Sequence, residues 1–288
     1  GAGLAGLSAA IFLQKRGINV TLFDRHETLE GQGVETTVGV LFQECYRAAG
    51  VDLTADLERI GTPIAFYIVR DGDGNVVSRE RVDATSVAFG RQSYDVSRPE
   101  LMRLLLAKFV DIGGVFRGGA ALQSVEIIQG GNGAPDLAQI QFEGGLTVQT
   151  PSLIAADGIH SRVRKLLFDE VPPSYPGISL VYGILPGCAG LVADEPESFQ
   201  MLLADEFSVL TSHYQGADPS TWFAVLSRSE APLLGRSIWA EEGKSETEAG
   251  AIALVDSVPA LRAVFLEQPS TPPRFVYSGG LQTRELRP

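Results

Sequence analysis

Residues 1–17 read GAGLAGLSAAIFLQKRG, and this stretch decides the fold. Gly1, Gly3 and Gly6 have the spacing G-x-G-x-x-G, and the apolar residues that follow recur at helical intervals as far as Gly17, a typical helix stop. A glycine-rich turn of this kind lies between a buried strand and a helix in dinucleotide-binding folds. The stretch therefore predicts a helix that begins inside the turn.

The next segment, INVTLFD at residues 18–24, predicts a strand that ends at Asp24, 18 residues after Gly6. In a dinucleotide fold Gly1 permits the tight turn, Gly3 lets a pyrophosphate approach the backbone, and Gly6 lets the helix pack closely on the strand. Asp24 can accept hydrogen bonds from a ribose diol. The order of turn, helix, strand and acid thus predicts an ADP-ribose site. It does not distinguish NAD from FAD, because both cofactors contain the ADP moiety.

Composition narrows the class of function. The chain has 288 residues, 44% of them hydrophobic, and a formal net charge of −12. The acidic charge argues against binding to nucleic acid, and there is no apolar run long enough for a membrane span. The cysteines, Cys45 and Cys188, are predicted to be buried, and neither they nor the three histidines have the spacing of metal ligands. We therefore predict no metal site.

The pattern further along the chain predicts mixed secondary structure. Residues 62–82 predict a β-hairpin, and residues 97–109 predict a helix with a capping box. Residues 121–150 predict a three-stranded meander. The apolar SLIAA at 152–156 predicts a buried strand that delivers an Asp-Gly turn, and residues 157–168 predict a short helix.

The last part of the chain has a different pattern. From about residue 175 it predicts a series of strands, followed by a helix over 245–258. This α+β pattern indicates a second domain.

Three segments taken together resemble the group A FAD-dependent aromatic hydroxylases, the family related to p-hydroxybenzoate and salicylate hydroxylases. They are the glycine motif with VTLFDR, VSRPELMRLL at 96–105 and LIAADGIHSRVR at 153–164. The resemblance covers residues 1–170. It implies an α/β fold, with a Rossmann-like FAD-binding domain (parallel sheet and β-meander) at 1–61 and 91–170. An α+β substrate-binding domain with a mixed or antiparallel sheet is implied at 62–90 and 171–288.

The resemblance also implies which residues contact FAD. Asp24 and the three glycines would hold the ADP part with Arg25 beside them, Gly33 would pass close to the flavin, and Arg98 would lie near the pyrophosphate and ribityl chain. The DG motif of the family matches Asp157 and Gly158. Arg98 has the alternative of a solvent-facing residue at a helix start. Arg162 and Arg164 match positions after the motif, or form a solvated helix face. The predicted FAD-contacting residues are Gly1, Gly3, Gly6, Asp24, Arg25, Gly33, Arg98, Asp157 and Gly158.

The implied reaction is the hydroxylation of a small aromatic substrate. NAD(P)H reduces FAD, O₂ adds to the flavin, and the resulting hydroperoxide transfers one oxygen atom. The sequence has neither a signal-peptide pattern nor a membrane-spanning run, so we expect a cytoplasmic enzyme, with a homodimer as an open alternative to a monomer. Tyr182, His213 and Tyr214 are candidate polar groups of the substrate domain, and no catalytic base is assigned.

Two departures from the family pattern lead us to expect a fragment. The strand that precedes the first glycine is missing, and so is a later Gly-Asp motif for FAD. The alternatives are a halogenase or reductase of the same fold, an NAD-dependent dehydrogenase, or an inactive remnant without FAD. The Trp-x-Trp motif of flavin halogenases is absent, since Trp222 and Trp239 stand apart.

Overall fold

A computed structural model describes residues 1–29, 35–82, 88–131, 133–168, 177–187, 192–205, 207–215 and 219–228, with Asp256, Arg262 and residues 274–280. The helices are α1 (Leu4–Lys15), α2 (Val40–Ala48), α3 (Thr54–Ile60), α4 (Arg98–Asp111) and α5 (Arg162–Leu167). The strands are β1 (Thr21–Phe23), β2 (Glu35–Val38), β3 (Gly61–Pro63), β4 (Phe66–Arg70), β5 (Val76–Arg81), β6 (Tyr94–Ser97), β7 (Val115–Arg117), β8 (Leu122–Ile128), β9 (Leu137–Phe142), β10 (Thr147–Thr150), β11 (Ile178–Pro186), β12 (Ser198–Leu203), β13 (Phe207–Tyr214), β14 (Ser220–Arg228) and β15 (Arg274–Gly280).

The chain divides into two compact units, each made of separated segments. The first contains residues 1–32, 99–173 and 284–288, and the second contains 33–98 and 174–283. In this division residues 33–61 and 91–98 belong to the second unit. The domain boundaries expected from the sequence stay a prediction. The assignment of FAD to one domain and substrate to the other stays a prediction.

The first unit begins with α1, whose buried residues Leu7 and Ile11 are the apolar positions expected from the sequence. The helix ends at Lys15, and Gly17 adopts a left-handed φ of +79° that ends the turn. Strand β1 is shorter than predicted, and Ile18 before it is 52% exposed. It pairs in parallel with β7.

The predicted meander is confirmed, with β9 at its centre between β8 and β10. The rings of Phe23 and Phe142 stack at 4.5 Å and join β1 to the meander. Helix α5 packs here too, because Val163 belongs to the same apolar cluster as Phe142. Its N-cap is Ser161, whose side chain accepts a hydrogen bond from the Arg164 N–H.

The prediction of a buried strand at 152–156 is wrong. These residues form no strand, and Leu153 and Ile154 are 37% and 59% exposed. An apolar run becomes a strand only where a neighbouring strand takes up its backbone N–H and C=O groups, and no described strand lies beside this one. The predicted burial of Cys45 is also wrong, since it is exposed on α2. Cys188 lies outside the described residues.

The second unit contains a seven-stranded sheet in the order β15-β11-β14-β13-β12-β4-β5. The predicted hairpin is confirmed as β4 and β5, and Asp71 closes its turn by accepting hydrogen bonds from Asn75 and Asp73. Most neighbouring strands are antiparallel, but β4 and β12 run in parallel. The helix predicted over 245–258 lies outside the described residues apart from Asp256.

A small sheet in the order β2-β6-β3 forms another part of the second unit. Helices α2 and α3 accompany it, and Arg91 joins them by ion pairing with Glu44 at 2.7 Å and by a hydrogen bond to Thr54. Strand β6 ends at Ser97, and α4 begins at the next residue. The fold class predicted from the sequence, a mixed α/β chain with parallel and antiparallel sheets, is confirmed. None of the described helices is long and apolar enough to cross a membrane.

Candidate functional site

The glycine turn is the centre of the candidate site in the first unit. A Cβ on Gly6 would overlap the carbonyl oxygen of Gly1, and a Cβ on Gly1 would overlap that of Ala156. A Cβ on Gly3, by contrast, would meet nothing within 4 Å. Two of the glycines therefore permit close packing, and the third leaves open space beside the backbone.

The open position is also the N-cap of α1. Gly3 has an extended ψ of 178° and supplies no side-chain cap, so the first N–H groups of the helix have no partner from that residue. Those N–H groups and the positive end of the helix dipole favour an anion at this point. The geometry could accommodate a phosphate group here.

Asp24 lies at the end of β1 and is tied to the glycine turn. Its Oδ2 accepts a hydrogen bond from the Ala2 N–H at 2.6 Å, and its Oδ1 accepts one from the His26 N–H at 2.9 Å. Oδ1 also contacts His26 Nδ1 at 3.0 Å. Burial raises the pKa of Asp24, but these hydrogen bonds outweigh burial and hold the pKa below its usual value. The carboxylate is ionised and can accept further hydrogen bonds.

The Asp-Gly turn is the second part of the site. Asp157 Oδ2 accepts hydrogen bonds from the N–H groups of Arg162 and Val163 at the start of α5, at 2.7 and 3.1 Å. Burial raises its pKa, but these bonds and one from Ser161 lower it overall. Gly158 has a φ of +83°, which favours glycine. A Cβ on Gly1 would lie 3.1 Å from Asp157 Cα, so the two turns are adjacent.

Two of the predicted FAD-contacting residues have a buried polar atom without a hydrogen-bond partner among the described residues. The atoms are Oδ1 of Asp157 and Nε of Arg98, the first residue of α4. A buried polar atom without a partner is costly, so each marks a position where a ligand group or a water molecule belongs. The buried Nε does not fit the alternative of a solvent-facing helix-start residue for Arg98.

The other predicted residues have less distinctive surroundings. Arg25 is exposed. Arg162 is exposed and lies 3.6 Å from Glu143, and Arg164 contacts the Ile159 carbonyl at 3.4 Å, which fits a solvated helix face. Gly33 lies outside the described residues. Among the described residues, no group of three His, Cys, Asp or Glu side chains could hold a metal.

The residues present fit FAD. In the first unit, the open backbone at Gly3 suits a pyrophosphate, the Asp24 carboxylate suits a ribose diol, and the Asp157 oxygen without a partner suits a further polar group of a dinucleotide. These assignments remain proposals for the individual residues.

The polar candidates of the second unit differ in exposure. Tyr182 is partly exposed, and its ring lies 6.3 Å from that of Trp222. His213 is 4% exposed, and its Nδ1 lies 3.0 Å from the Ser220 carbonyl oxygen. Burial lowers the pKa of His213, so the ring is neutral and Nδ1–H donates. Tyr214 is buried beside Ser220. Both His213 and Tyr214 are thus buried and hydrogen-bonded within the sheet.

Sequence reasoning missed a buried carboxylate in β6. Asp95 is 1% exposed, and it accepts hydrogen bonds from the hydroxyls of Thr37 at 2.7 Å and of Ser212. Thr62 faces the same side of the small sheet, since it pairs directly with Asp95 in the register of β3 and β6. An acid inside the strand-like YDVS was the available signal. Its partner Ser212 is 117 residues away and could not be found from spacing.

Comparison with known proteins identifies an FAD-binding family. Residues 1–230 match the family described as FAD binding domain. The 3-amino-4-hydroxybenzoate 2-monooxygenase of Streptomyces cremeus is 29% identical over 197 residues, which cover 65% of this chain and 45% of that protein. The 6-hydroxynicotinate 3-monooxygenase of Pseudomonas fluorescens is 26% identical over 187 residues, covering 65% and 46%. The chain thus spans less than half the length of these curated relatives.

Solved structures share the fold. The 2,6-dihydroxypyridine-3-hydroxylase of Arthrobacter nicotinovorans superposes with a TM-score of 0.73 at 19% identity, covering 99% of this chain and 72% of that one. Klebsiella pneumoniae HpxO complexed with FAD and uric acid superposes with a TM-score of 0.72 at 20% identity, covering 91% and 62%. At these identities the likeness concerns the fold.

Proposed function

Because the chain belongs to the FAD binding domain family, as its motifs predicted, we propose that it forms the cofactor- and substrate-binding part of an FAD-dependent monooxygenase. The enzyme would hydroxylate a small aromatic compound with O₂ and a nicotinamide reductant. Names of the curated relatives support this choice, since they are monooxygenases of aromatic rings. The same match disfavours an NAD-dependent dehydrogenase.

The observation that carries the proposal is the open backbone at Gly3. A side chain at Gly1 or Gly6 would overlap neighbouring backbone atoms, whereas the space beside Gly3, the N-cap of α1, is free. Close packing of the turn requires glycine at Gly1 and Gly6, and it does not require glycine at Gly3. An open N-terminal turn beside an ionised acid is the arrangement that binds a dinucleotide pyrophosphate and its ribose.

Each residue has a defined task in this proposal. The N–H groups of the first turn of α1 would bind the pyrophosphate, and Asp24 would accept hydrogen bonds from the adenosine ribose. Arg98 Nε would donate to FAD, and Asp157 Oδ1 would accept from it or from a bridging water. FAD, when bound, supplies the activation of O₂ and the delivery of one oxygen atom to the ring. The protein orients the ring and excludes water.

The reductant, location and assembly are further parts of the proposal. We expect NADH or NADPH as the reductant, the cytoplasm as the location, and a homodimer as the alternative to a monomer. The resemblance to the aromatic hydroxylases supports the reductant, and the expected location comes from the sequence pattern alone.

The proposal is tested by turnover after reconstitution with FAD and desalting. We expect an aromatic compound to stimulate NADH or NADPH oxidation and to gain the mass of one oxygen atom in the presence of ¹⁶O₂, with the heavier isotope incorporated from ¹⁸O₂. The protein heated to unfolding and free FAD are the controls. Reductant oxidation with incorporation of oxygen from water, or no incorporation at any ring, would contradict a monooxygenase.

A further inference from the structure

One face of the seven-stranded sheet carries a row of aromatic side chains. Strand register places Phe199 opposite Tyr67 and Trp222 opposite Ser212. The rings of Tyr67 and Phe199 meet edge to face at 5.8 Å, and those of Phe199 and Trp222 lie 6.1 Å apart. Tyr182 extends the row beyond Trp222. We call Tyr67, Phe199, Trp222 and Tyr182 the aromatic face.

The aromatic face is the more accessible side of this sheet. Tyr67 is 42% exposed, and Phe199 and Tyr182 are partly exposed. The neighbouring residues Ile68 and Phe223, which point to the opposite side because alternate strand residues do so, are buried completely or nearly so. Aromatic surface that stays partly exposed beside a packed core is typical of a ligand-binding surface.

Trp222 is fixed within the face by a chain of hydrogen bonds. Its Nε1 donates to Ser212 Oγ at 2.9 Å, and the Ser212 hydroxyl donates to the Asp95 carboxylate. Thr37 donates to the other oxygen of Asp95 at 2.7 Å. This series of hydrogen bonds orients the indole. Because Ser212 pairs directly with Trp222, it also places the Asp95 carboxylate on the same side of the sheet as the aromatic face.

Tyr67 has a hydroxyl that makes no hydrogen bond with the residues described in the structure. Burial raises the pKa of Tyr67, and the negative charge of Asp95 raises it further. The hydroxyl is therefore protonated at neutral pH and able to donate or accept a hydrogen bond. Its ring meanwhile packs against Phe199. Tyr67 thus combines a fixed ring with an uncommitted polar group.

We propose that Tyr67, Phe199 and Tyr182 bind the ring of the aromatic substrate, with the Tyr67 hydroxyl as its hydrogen-bond partner and Asp95 selecting a neutral ring over a carboxylated one. This proposal rests on the proposed function for the identity of the ligand. A ligand carboxylate near the face would be repelled by the buried Asp95, since charges interact strongly where water is excluded. The chain would then prefer a neutral ring, unlike the relatives whose names refer to the carboxylated rings hydroxybenzoate and hydroxynicotinate.

The test compares two probes with the same ring, 2-naphthol and 2-naphthoate, at neutral pH, where the first is neutral and the second anionic. Binding to the FAD-reconstituted chain is measured by isothermal titration calorimetry. We expect 2-naphthol to bind about tenfold or more tightly than 2-naphthoate. Equal affinity, tighter binding of 2-naphthoate, or no binding of either probe would overturn the proposal.

A variant of Tyr67 tests whether its hydroxyl contributes to the binding of 2-naphthol. Tyr67→Phe should weaken 2-naphthol binding by roughly two- to tenfold, as expected for one lost hydrogen bond. Tyr94→Phe is the matched control, because Tyr94 lies on β6 in the same unit and the charges near it are those of Glu58 and Arg91. Equal effects of the two variants would contradict a specific role for Tyr67.

Asp95→Asn tests the selection by charge, because asparagine keeps an oxygen that can accept a hydrogen bond from Ser212 or Thr37. We expect the preference for 2-naphthol to shrink toward unity, mainly through tighter binding of 2-naphthoate. An unchanged preference would overturn the role of Asp95. A melting curve of each variant confirms that it is folded before the titration.

FAD retention, read from the visible absorbance of the same samples, separates this inference from the proposed function. Retained FAD without the naphthol preference overturns only the inference. Tyr67-dependent naphthol binding by protein that does not retain FAD overturns the proposed function and supports the aromatic face as a binding surface.

Discussion

The backbone N–H of Ala2 donates a hydrogen bond to Asp24 Oδ2 across 2.6 Å. This bond joins the turn before α1 to the end of β1, although the two residues are 22 positions apart in sequence. It positions the acid beside the glycine turn through contacts within the protein itself. The proposed ribose-binding group is thus preorganised relative to the proposed phosphate-binding backbone.

Asp24→Asn should destabilise the protein at neutral pH and make its unfolding free energy depend less on pH in the acid range. The folded-state pKa of Asp24 lies below its unfolded value of about 3.9, so its contribution is present above that pH and is lost as the pH falls through the folded pKa. We expect a loss of about 1–3 kcal/mol at pH 7, measured by urea unfolding. A variant with wild-type stability at pH 7 and the same pH profile would show that the Ala2 and His26 bonds contribute nothing.

Gly6→Ala should damage the fold of the first unit, because the new Cβ would overlap the Gly1 carbonyl oxygen. We expect a loss of about 1–3 kcal/mol in urea unfolding or a failure to fold. Gly39→Ala is the control, since Gly39 is the N-cap of α2 with an extended backbone and open space around its Cβ position. If both variants were equally stable, the close contact between Gly6 and Gly1 would be refuted.

His213 should make the stability of the protein depend on pH near neutrality. Burial lowers its folded-state pKa below the unfolded value of about 6.5, so its neutral form is favoured in the fold. Stability should be complete above that value and decline as the pH falls from about 6.5 toward the folded pKa. His213→Gln should reduce this decline in melting temperature between about pH 7 and pH 5. His26→Gln, at a histidine that is 53% exposed, is the comparison, and an unchanged slope in His213→Gln would contradict the assignment.

Thr62 and Thr37 should respond differently to replacement by valine. Thr37 donates to Asp95, whereas the buried Thr62 Oγ1 has no hydrogen-bond partner in the described part of the chain. Thr37→Val should cost about 1–3 kcal/mol of unfolding free energy, and Thr62→Val should be neutral or stabilising. Destabilisation by Thr62→Val equal to that by Thr37→Val would indicate that Thr62 has a partner such as an ordered water.

Local elements were predictable from the sequence because their signals are local. The helical periodicity after Gly6, the stop at Gly17 and the turn at 71–75 each depend on residues a few positions apart, and the structure confirms them. The spacing of Asp24 from the glycines also placed it at the end of β1. The short bond to Ala2 follows from that arrangement, but no sequence pattern specifies it.

Contacts between residues far apart in the chain could not be predicted from the sequence pattern. SLIAA is apolar enough for a buried strand, yet strand formation depends on a neighbour that local pattern does not reveal, and Ile154 is exposed. The bond between Asp95 and Ser212 spans 117 positions and depends on how two sheets pack. The closeness of the Tyr182 and Trp222 rings, 6.3 Å apart, likewise joins residues 40 positions apart that no local pattern links.

FAD affinity of Gly3→Val, compared with wild type and Gly39→Val, tests the central claim most directly. Both glycines are helix N-caps with open space at Cβ, so each variant should fold with similar stability, but only Gly3 is proposed to lie against the pyrophosphate. Titration with FAD, followed by flavin fluorescence, should show affinity weakened roughly tenfold or more by Gly3→Val and unchanged by Gly39→Val. Wild-type affinity in a folded Gly3→Val variant would contradict the assignment of the glycine turn as the FAD site.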